Sequence, residues 1–208
     1  MLALTSGCGS LSAAQLPPPA TPGASPPLAA RPAGRVVAPG AAAAPRPAPP
    51  LRATAGAGTR LALLDPRGRV LVLADARTRR RLGSATAGVG PTHVVSDAGN
   101  YLYVTDTTLG AVLVYSIRPQ LQLVRRYRLA GSPYATAYDP GRNQLWIAQT
   151  ATNTLAELSA GRRPRLLRSF PTVRAARAVA VDAGSGRVSV TGADGVQLLD
   201  PPAVPRTR

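Results

Sequence analysis

The residues of this chain that could do acid–base, nucleophilic or metal chemistry are few. The 208-residue sequence has one histidine (His93), one cysteine (Cys8), one glutamate (Glu157) and eight aspartates. Hydrolysis needs several such groups to converge, or a metal that they hold, and no Cys/His spacing here is that of a zinc site. Five of the aspartates stand in turn sequences, where a carboxylate bonds the nearby backbone: Asp65, Asp97, Asp139, Asp182 and Asp194. The sequence therefore predicts no catalytic site, no metal and no cofactor.

Four segments of the chain repeat a pattern of two apolar runs around a polar turn. They are RLALLDPRGRVLVLAD (60–75), YLYVTDTTLGAVLVYS (101–116), QLWIAQTATNTLAELS (144–159) and RVSVTGADGVQLLD (187–200). The equivalent positions Asp65, Asp106, Gln149 and Gly192 are 41, 43 and 43 residues apart. A period of about 40–45 residues made only of short strands is typical of the four-stranded blade of a β-propeller. We therefore predict an all-β, propeller-like array with repeats at about 59–89, 90–130, 131–172 and 173–200.

The predicted strands number three, four, four and three, because the first repeat lacks its innermost strand A and the last lacks its outermost strand D. This corresponds to about 3.5 four-stranded blades, fewer than the roughly four to eight of closed propellers, and it predicts an incomplete or open ring. The upstream sequence Arg35-Val36-Val37-Ala38 is a candidate for the missing strand. The apolar residues of strands B and C, Trp146 among them, should pack between neighbouring blades.

The 58 residues before the repeats have a different composition. They contain 12 of the 22 prolines, four arginines and no acidic residue, and such a segment cannot bury enough apolar surface to offset the entropy of ordering it. We predict a Pro/Ala-rich disordered linker over residues 9–58, a folded region over 59–200, and a disordered tail over 201–208.

The N-terminal residues Leu4-Thr5-Ser6-Gly7-Cys8 resemble the lipobox of bacterial lipoproteins, in which small residues precede a cysteine that becomes the lipidated N-terminus. No basic n-region precedes them and only four residues could belong to an apolar h-region, as in a signal read from a start codon downstream of the true one. The resemblance implies a truncated lipoprotein signal over residues 1–8, a lipidated Cys8 that contacts the membrane through its anchor, and an extracytoplasmic, envelope-associated protein. The alternative is a lone cysteine in a low-complexity leader.

The second repeat carries a family resemblance. Its residues 102–106, LYVTD, resemble the YVTN signature of YVTN-type (YncE-like) β-propellers, and VGPTHVVSDAGNYLYVTD (89–106) is similar to that repeat's junction between strands A and B. The likeness extends over about 59–200 and is fainter in the third repeat, where WIAQ (146–149) replaces the signature. It implies an extracytoplasmic propeller, often seven-bladed, that acts as a binding or scaffold module, although some relatives are lactonases.

The resemblance also indicates where a ligand would bind. Metal-dependent propeller lactonases gather carboxylates and amides around the central channel, near the start of each strand A. The matching positions here are Thr92, His93, Tyr134, Ala135 and Arg177, with no carboxylate among them. We predict that Thr92, His93, Tyr134 and Arg177 line a non-catalytic ligand-binding face whose partner is a protein or envelope polymer. A lactonase-like hydrolase is the alternative, and tight binding of a divalent metal would favour it.

Arginine dominates the charge of the chain. All 25 basic residues are arginine, as expected of a GC-rich, actinobacterial-like genome, and the net charge is +16. Clusters follow strand C and run along strand D: Arg79, Arg80, Arg81, Arg125, Arg126, Arg128, Arg162, Arg163 and Arg165. Because strand D is the outermost of a blade, they predict a basic outer girdle, which either protects edge strands or binds anionic lipids or polymers. Aromatic residues that could stack on bases are sparse along these clusters, so no sequence-specific nucleic acid is expected as a partner.

Overall fold

The computed structural model describes residues 20–38, 51–55, 58–97 and 99–202, and within them the chain forms sixteen β-strands and no helix. In chain order the strands are β1 (Arg35–Val37), β2 (Arg52–Ala55), β3 (Arg60–Asp65), β4 (Val70–Asp75), β5 (Arg81–Thr86), β6 (Pro91–Ser96), β7 (Tyr101–Asp106), β8 (Ala111–Ser116), β9 (Gln122–Arg128), β10 (Pro133–Asp139), β11 (Gln144–Gln149), β12 (Thr154–Ser159), β13 (Leu166–Pro171), β14 (Ala178–Val181), β15 (Val188–Gly192) and β16 (Gly195–Leu199).

The strands associate into four antiparallel sheets of four strands each. From strand A to strand D, sheet I is β2-β3-β4-β5, sheet II is β6-β7-β8-β9, sheet III is β10-β11-β12-β13 and sheet IV is β14-β15-β16-β1. The all-β, propeller-like architecture predicted from the repeats is confirmed. In sheets II to IV the turns between strands A and B lie at one end of the sheet and the turn between strands B and C lies at the other, because neighbouring strands are antiparallel.

Aspartate side chains close the turns between strands A and B, as the sequence predicts. Asp97 Oδ1 accepts a hydrogen bond from the Gly99 N–H at 2.9 Å, and Asp182 Oδ1 accepts one from the Ser185 N–H at 2.7 Å. Asp194 differs from the prediction, because its carboxylate binds the backbone N–H and guanidinium of Arg174. The bonds of Asp97 and Asp182 stabilise the turns of their own hairpins.

The core lies between neighbouring sheets rather than inside any one of them. Leu71 and Leu73 of sheet I pack with Leu102 and Leu113 of sheet II. The next layer joins sheets II and III through Tyr103, Val112, Leu145 and Ile147. Trp146, fully buried, leads the third layer between sheets III and IV, together with Leu155, Val179 and Val190. Burying each such side chain stabilises the fold by about 1.5–3 kcal/mol, so a sheet depends on its neighbours for its own stability.

The strand count differs from the predicted 3.5 blades, because two short strands from the predicted linker complete the outer sheets. Strand β1 pairs with β16, with Arg35 opposite Leu198 and Val37 opposite Val196, which confirms the upstream candidate for the missing strand. Strand β2 pairs with β3 and supplies strand A of sheet I. The prediction of a linker throughout residues 9–58 is therefore corrected at both strands. Runs of three and four residues are too short to show an alternating pattern, and the partner of β1 lies about 160 residues away.

The array is open. The innermost strands contact one another in succession, β2 with β6, β6 with β10 and β10 with β14, and the described residues show no comparable contact between β14 and β2. Sheets I and IV are therefore the two ends of a curved row.

Residues 20–33, which we call the strap, cross the ends of sheets II to IV before β1 begins. The Ser25 hydroxyl donates to the Thr150 carbonyl at 2.9 Å and accepts from the Ala175 N–H at 2.7 Å, and it also bonds Asn153. Asn153 in turn donates to the Pro26 carbonyl at 2.9 Å. These bonds tie the strap to the B–C turn of sheet III and to the segment leading into sheet IV.

The last residue of the strap, Ala33, accepts a hydrogen bond from the buried side chain of Gln197 on β16. The Gln197 Oε1 atom accepts from the Val173 N–H at 3.2 Å and from the Thr172 hydroxyl at 2.5 Å. Its Nε2 atom donates to the carbonyls of Ala33 at 2.7 Å and Pro171 at 3.0 Å. Gly34 then turns the chain into β1 at a φ of 72°, where a Cβ would overlap the Leu198 carbonyl oxygen. One fully buried amide thus joins the strap, the sheet III–IV connection and β16.

Cys8, residues 9–19, 39–50 and 56–57 of the predicted linker, and residues 203–208 of the predicted tail lie outside the described residues. Within the described part of the chain, no helix has the length and hydropathy needed to cross a membrane.

Candidate functional site

A cleft of about 450 Å³ opens where sheets I, II and III approach one another at the inner side of the array. It lies at the end of the sheets that carries the B–C turns and the connections into strand A. Its lining residues are Ala20, Leu51, Asp65, Pro66, Arg67, Pro91, Thr92, His93 and Tyr134. Three of the four residues predicted to form a ligand-binding face are therefore brought together, by β6 and β10.

Thr92 contributes mainly to the wall of this cleft. Its hydroxyl is buried and donates to the Tyr134 carbonyl at 2.9 Å, while lying 3.0 Å from the Thr105 hydroxyl. The Thr105 hydroxyl donates to the same carbonyl at 2.7 Å. The two threonines therefore fix the start of β10 against sheet II, and this positions Tyr134.

His93 and Tyr134 form the aromatic part of the cleft. Their ring centroids lie 5.2 Å apart with the planes at 68°, an edge-to-face contact of a kind that favours a fixed ring orientation. Burial lowers the pKa of His93 to about 4, against the smaller, opposite effect of its hydrogen bond with the Tyr134 backbone. The imidazole is therefore neutral at physiological pH, and its buried Nδ1 atom has no hydrogen-bond partner among the described residues.

Arg177 does not line the cleft. It is exposed in the segment that leads into β14, where its backbone N–H donates to the Thr191 carbonyl at 2.9 Å. Two other charged residues line the cleft in addition to the predicted set, Asp65 and Arg67 from the β3–β4 turn. Asp65 Oδ1 accepts hydrogen bonds from the backbone N–H groups of Arg67 and Gly68, both at 3.0 Å. The repeat alignment could have indicated them, since a B–C turn lies at the same end of a blade as the start of strand A.

Asp106, the last residue of the LYVTD run (102–106), uses its carboxylate to bind backbone N–H groups. It is fully buried and accepts hydrogen bonds from the N–H groups of Val89, Gly90 and Leu109 at 2.7, 3.0 and 2.9 Å. It therefore anchors the connection from sheet I to sheet II. Among the described residues, no three His, Cys, Asp or Glu side chains are grouped closely enough to hold a metal ion.

The arginine clusters lie on or next to the outermost strands, as predicted. Strands β5, β9 and β13 are the last strands of sheets I, II and III. All nine predicted arginines are exposed: Arg79, Arg80, Arg81, Arg125, Arg126, Arg128, Arg162, Arg163 and Arg165. The four ion pairs between described residues involve other arginines, namely Arg142, Arg168, Arg174 and Arg187. The nine predicted arginines therefore form no ion pair with a described carboxylate.

Comparison with known proteins shows the fold and no closer relationship. No family model matches the sequence, and no curated protein matches it significantly. Among solved structures, the array is similar to the β-propeller domain of Cps50 (Swd1) from Myceliophteria thermophila, with a TM-score of 0.59 and 14% identity over 73% of this chain and 52% of that one. It is also similar to hydrazine synthase of Kuenenia stuttgartiensis, with a TM-score of 0.55 and 19% identity over 77% and 52%. A third similar structure is the dihydro-heme d1 dehydrogenase NirN, with a TM-score of 0.60 and 17% identity over 72% and 34%.

Two of these similar structures are named as enzymes, and the third is described only as a β-propeller domain. They therefore do not distinguish binding from catalysis. This chain spans about half the length of the first two. The sequence, the structure and the comparisons together establish four sheets arranged as propeller blades. The described sheets form a row that does not close into a ring.

Proposed function

We propose that this protein is a non-catalytic, extracytoplasmic binding scaffold of the YVTN type, tethered to the cell envelope through Cys8, and that it holds its partner in the cleft at β6 and β10. The observation that carries this proposal is the construction of the cleft: three sheets contribute to one concave, mainly apolar site with a few polar groups, which is the usual form of a binding pocket.

The chemistry of the lining supports binding over hydrolysis. General acid–base catalysis at neutral pH works best with a group whose pKa lies near the working pH, and His93 is held neutral by burial. Asp65, the one carboxylate in the lining, already accepts two backbone hydrogen bonds. The groups best placed to meet a partner are the Tyr134 ring and the Arg67 guanidinium. They suit a ligand with an apolar body and a polar or anionic end.

The cleft can be tested by substitution of Tyr134. A panel of envelope oligosaccharides and short peptides is screened by thermal shift and two-dimensional NMR on the full chain, and hits are repeated with Tyr134→Ala. Tyr138→Phe is the matched control, because Tyr138 belongs to the same strand but packs in the sheet II–III core. We expect the first variant to lose the response and the control to keep it. Equal responses in all three proteins would place binding elsewhere and refute the proposal.

The same preparation tests the catalytic alternative. The full chain is assayed for turnover of γ- or δ-lactones with and without an added divalent metal. Turnover that His93→Ala abolishes, or that requires the metal, would replace the scaffold proposal with a lactonase-like hydrolase.

Export can be tested independently of the cleft. The gene is expressed with its own upstream DNA, and the N-terminal peptide of the mature protein is analysed by mass spectrometry. We expect a lipid-modified Cys8 and a membrane-associated protein that Cys8→Ser releases. An unmodified cysteine, with the same distribution for both proteins, would remove the tether from the proposal.

The exposed, unpaired arginines of the outer strands favour a second candidate function, adhesion to anionic lipids or envelope polymers. Charge-driven adhesion weakens as salt screens it. Retention of the full chain on anionic liposomes should therefore fall between low and high salt and should fall further in a triple Arg125→Gln, Arg126→Gln, Arg128→Gln variant. Retention that is independent of salt would contradict this role.

A further inference from the structure

A second, smaller cavity lies at the opposite end of the array from the cleft, between sheets II and III. It has a volume of about 270 Å³ and is lined by Tyr101, Ser116, Arg118, Gln122, Val124 and Arg162. Strands β7, β8 and β9 supply its sheet II side, and the turn between β12 and β13 supplies Arg162. We call it the arginine pocket.

The arginine pocket collects hydrogen-bond donors that have no other use in the described structure. Neither the Arg118 nor the Arg162 guanidinium forms an ion pair among the described residues, where all four ion pairs involve other arginines. The phenol of Tyr101 and the amide of Gln122 add neutral donors from the adjoining strands. Of the six lining residues, none is acidic.

The backbone that carries both arginines is held in place. Ser116 Oγ donates to the Arg118 carbonyl at 2.6 Å and accepts from the Arg118 N–H at 3.2 Å. Next to Arg162, the Gly161 N–H donates to the Tyr103 phenol oxygen at 2.6 Å, with Gly161 at a φ of 108° that favours glycine. Each arginine therefore projects from a turn that local hydrogen bonds define, so less ordering is needed when a ligand binds.

The nearby carboxylate of Asp97 already has hydrogen-bond partners. The Tyr103 phenol that accepts from Gly161 donates in turn to Asp97 Oδ2 at 3.0 Å. Asp97 Oδ1 accepts from the N–H groups of Gly99 and Tyr101 at 2.9 and 3.0 Å. Asp97 therefore serves the turn beneath the pocket, and its oxygens are used by groups other than the two arginines.

Two guanidinium groups and two neutral donors in the lining of one pocket match one class of ligand. Guanidinium groups bind oxyanions through paired N–H donors, and phosphate presents enough oxygens to engage two of them together with a phenol and an amide. We propose that the arginine pocket binds a phosphate monoester, with the phosphoryl group between Arg118 and Arg162 and the ester group directed to solvent. This site is separate from the cleft. It shares Arg162 with the basic surface of the outer strands but adds Arg118, a phenol and an amide in one pocket.

The proposal is tested by calorimetric titration of the full chain with inorganic phosphate and with glycerol 3-phosphate at constant ionic strength. The test variants are Arg118→Gln and Arg162→Gln, and Arg118→Lys keeps the charge while removing the paired donors. Arg125→Gln is the matched control, because Arg125 is an exposed neighbour on β9 that does not line the pocket. All four substitutions affect exposed side chains, and the thermal midpoint of each variant verifies that it is folded.

We expect each glutamine variant to weaken binding of both probes at least tenfold, the lysine variant to weaken it severalfold, and Arg125→Gln to change it less than twofold. Equal weakening by Arg118→Gln and Arg125→Gln would show diffuse attraction to a basic surface and overturn the proposal, as would an absence of phosphate binding by the unaltered chain.

A lipid headgroup and a soluble ester share this chemistry, and a vesicle experiment separates them. Vesicles of phosphatidylcholine with and without phosphatidic acid are sedimented with the full chain and with Arg118→Gln. Arginine-dependent sedimentation with phosphatidic acid that inorganic phosphate reverses would identify a membrane source for the phosphate. Binding of glycerol 3-phosphate without such sedimentation would identify a soluble ester, and vesicle binding that both proteins share equally would count against the pocket.

Discussion

Replacement of Gln197 by alanine should destabilise the protein by about 3 kcal/mol, because a buried N–H left without an acceptor costs about 1–3 kcal/mol. The side chain is fully buried and makes four hydrogen bonds. Its loss leaves the Val173 N–H and the Ala33 carbonyl without their partner. The Thr172 hydroxyl can rotate, and the Pro171 carbonyl still accepts from the Ala33 N–H at 2.9 Å, so those two groups add little.

Urea denaturation, followed by tryptophan fluorescence, measures this loss directly. A domain of this size should lose about 2–4 °C of Tm for each kcal/mol, so the thermal midpoint should fall by about 6–12 °C. Gln197→Glu should be at least as harmful, since it replaces a donor by an acceptor opposite two carbonyls. Gln120→Ala, in an exposed loop, should change stability by less than about 0.5 kcal/mol.

The outcome that refutes this reasoning is a Gln197→Ala variant within about 1 kcal/mol of the parent protein at an unchanged m-value. Hydrogen exchange gives a second measure, because the Val173 amide should lose protection in the variant while that of the Val190 amide, on β15, is affected less.

Three further predictions follow from buried groups. Arg168→Met should lower the free energy of unfolding by about 3–5 kcal/mol, because it leaves the buried Glu157 carboxylate without a partner; Arg168 binds that carboxylate through two hydrogen bonds of 2.6 and 2.8 Å. Glu157→Gln should cost less, since Arg168 is 34% exposed and water can hydrate it. Urea denaturation of both variants ranks the two losses. Trp146→Ala should cost about 3–5 kcal/mol of stability. Trp146→Phe should cost about 1.5 kcal/mol or less, since the indole N–H that it removes has no hydrogen-bond partner among the described residues. Similar losses for the two variants in thermal denaturation would contradict this. The depressed pKa of His93, about 4 in the fold against 6.5 when unfolded, means that the unfolded chain binds more protons between these values, so the free energy of unfolding should fall by up to about 3 kcal/mol as the pH drops through that window; His93→Gln should abolish this part of the pH dependence.

The repeat period was sufficient to predict the architecture, because it depends on local signals. Four of the five predicted turn aspartates accept a hydrogen bond from the N–H of a residue two or three positions later. Each B–C hairpin is also continuous in sequence, so Asp97 and Asp182 could be assigned to turns from local sequence alone. The layers of apolar side chains between sheets follow from the same pattern, and Trp146 lies where it predicts.

The parts that the sequence did not predict have weak local signals or distant partners. Strand β2 was missed although its partner β3 begins only a few residues later, because a run of four residues is too short to show an alternating pattern. The strap is held in part by the Ser25 hydroxyl, which lies in a Pro-rich stretch whose composition predicts a linker. The cleft was only partly predicted, because Asp65 and Arg67 reach it from a turn of another sheet, and the position of Arg177 away from it depends on the curvature of the row.

The pairing of β1 with β16 joins two segments of the chain that are synthesised far apart in time. Arg35 leaves the ribosome more than 160 residues before Leu198, a delay of roughly ten to thirty seconds at about 5–20 residues per second. During that interval sheets I, II and III can form in turn from hairpins already made, while β1 waits with its backbone groups unpaired. Sheet IV is thus completed only when β16 has been made, so an interruption of translation before Gly195 leaves β1 without the one partner that the described structure gives it.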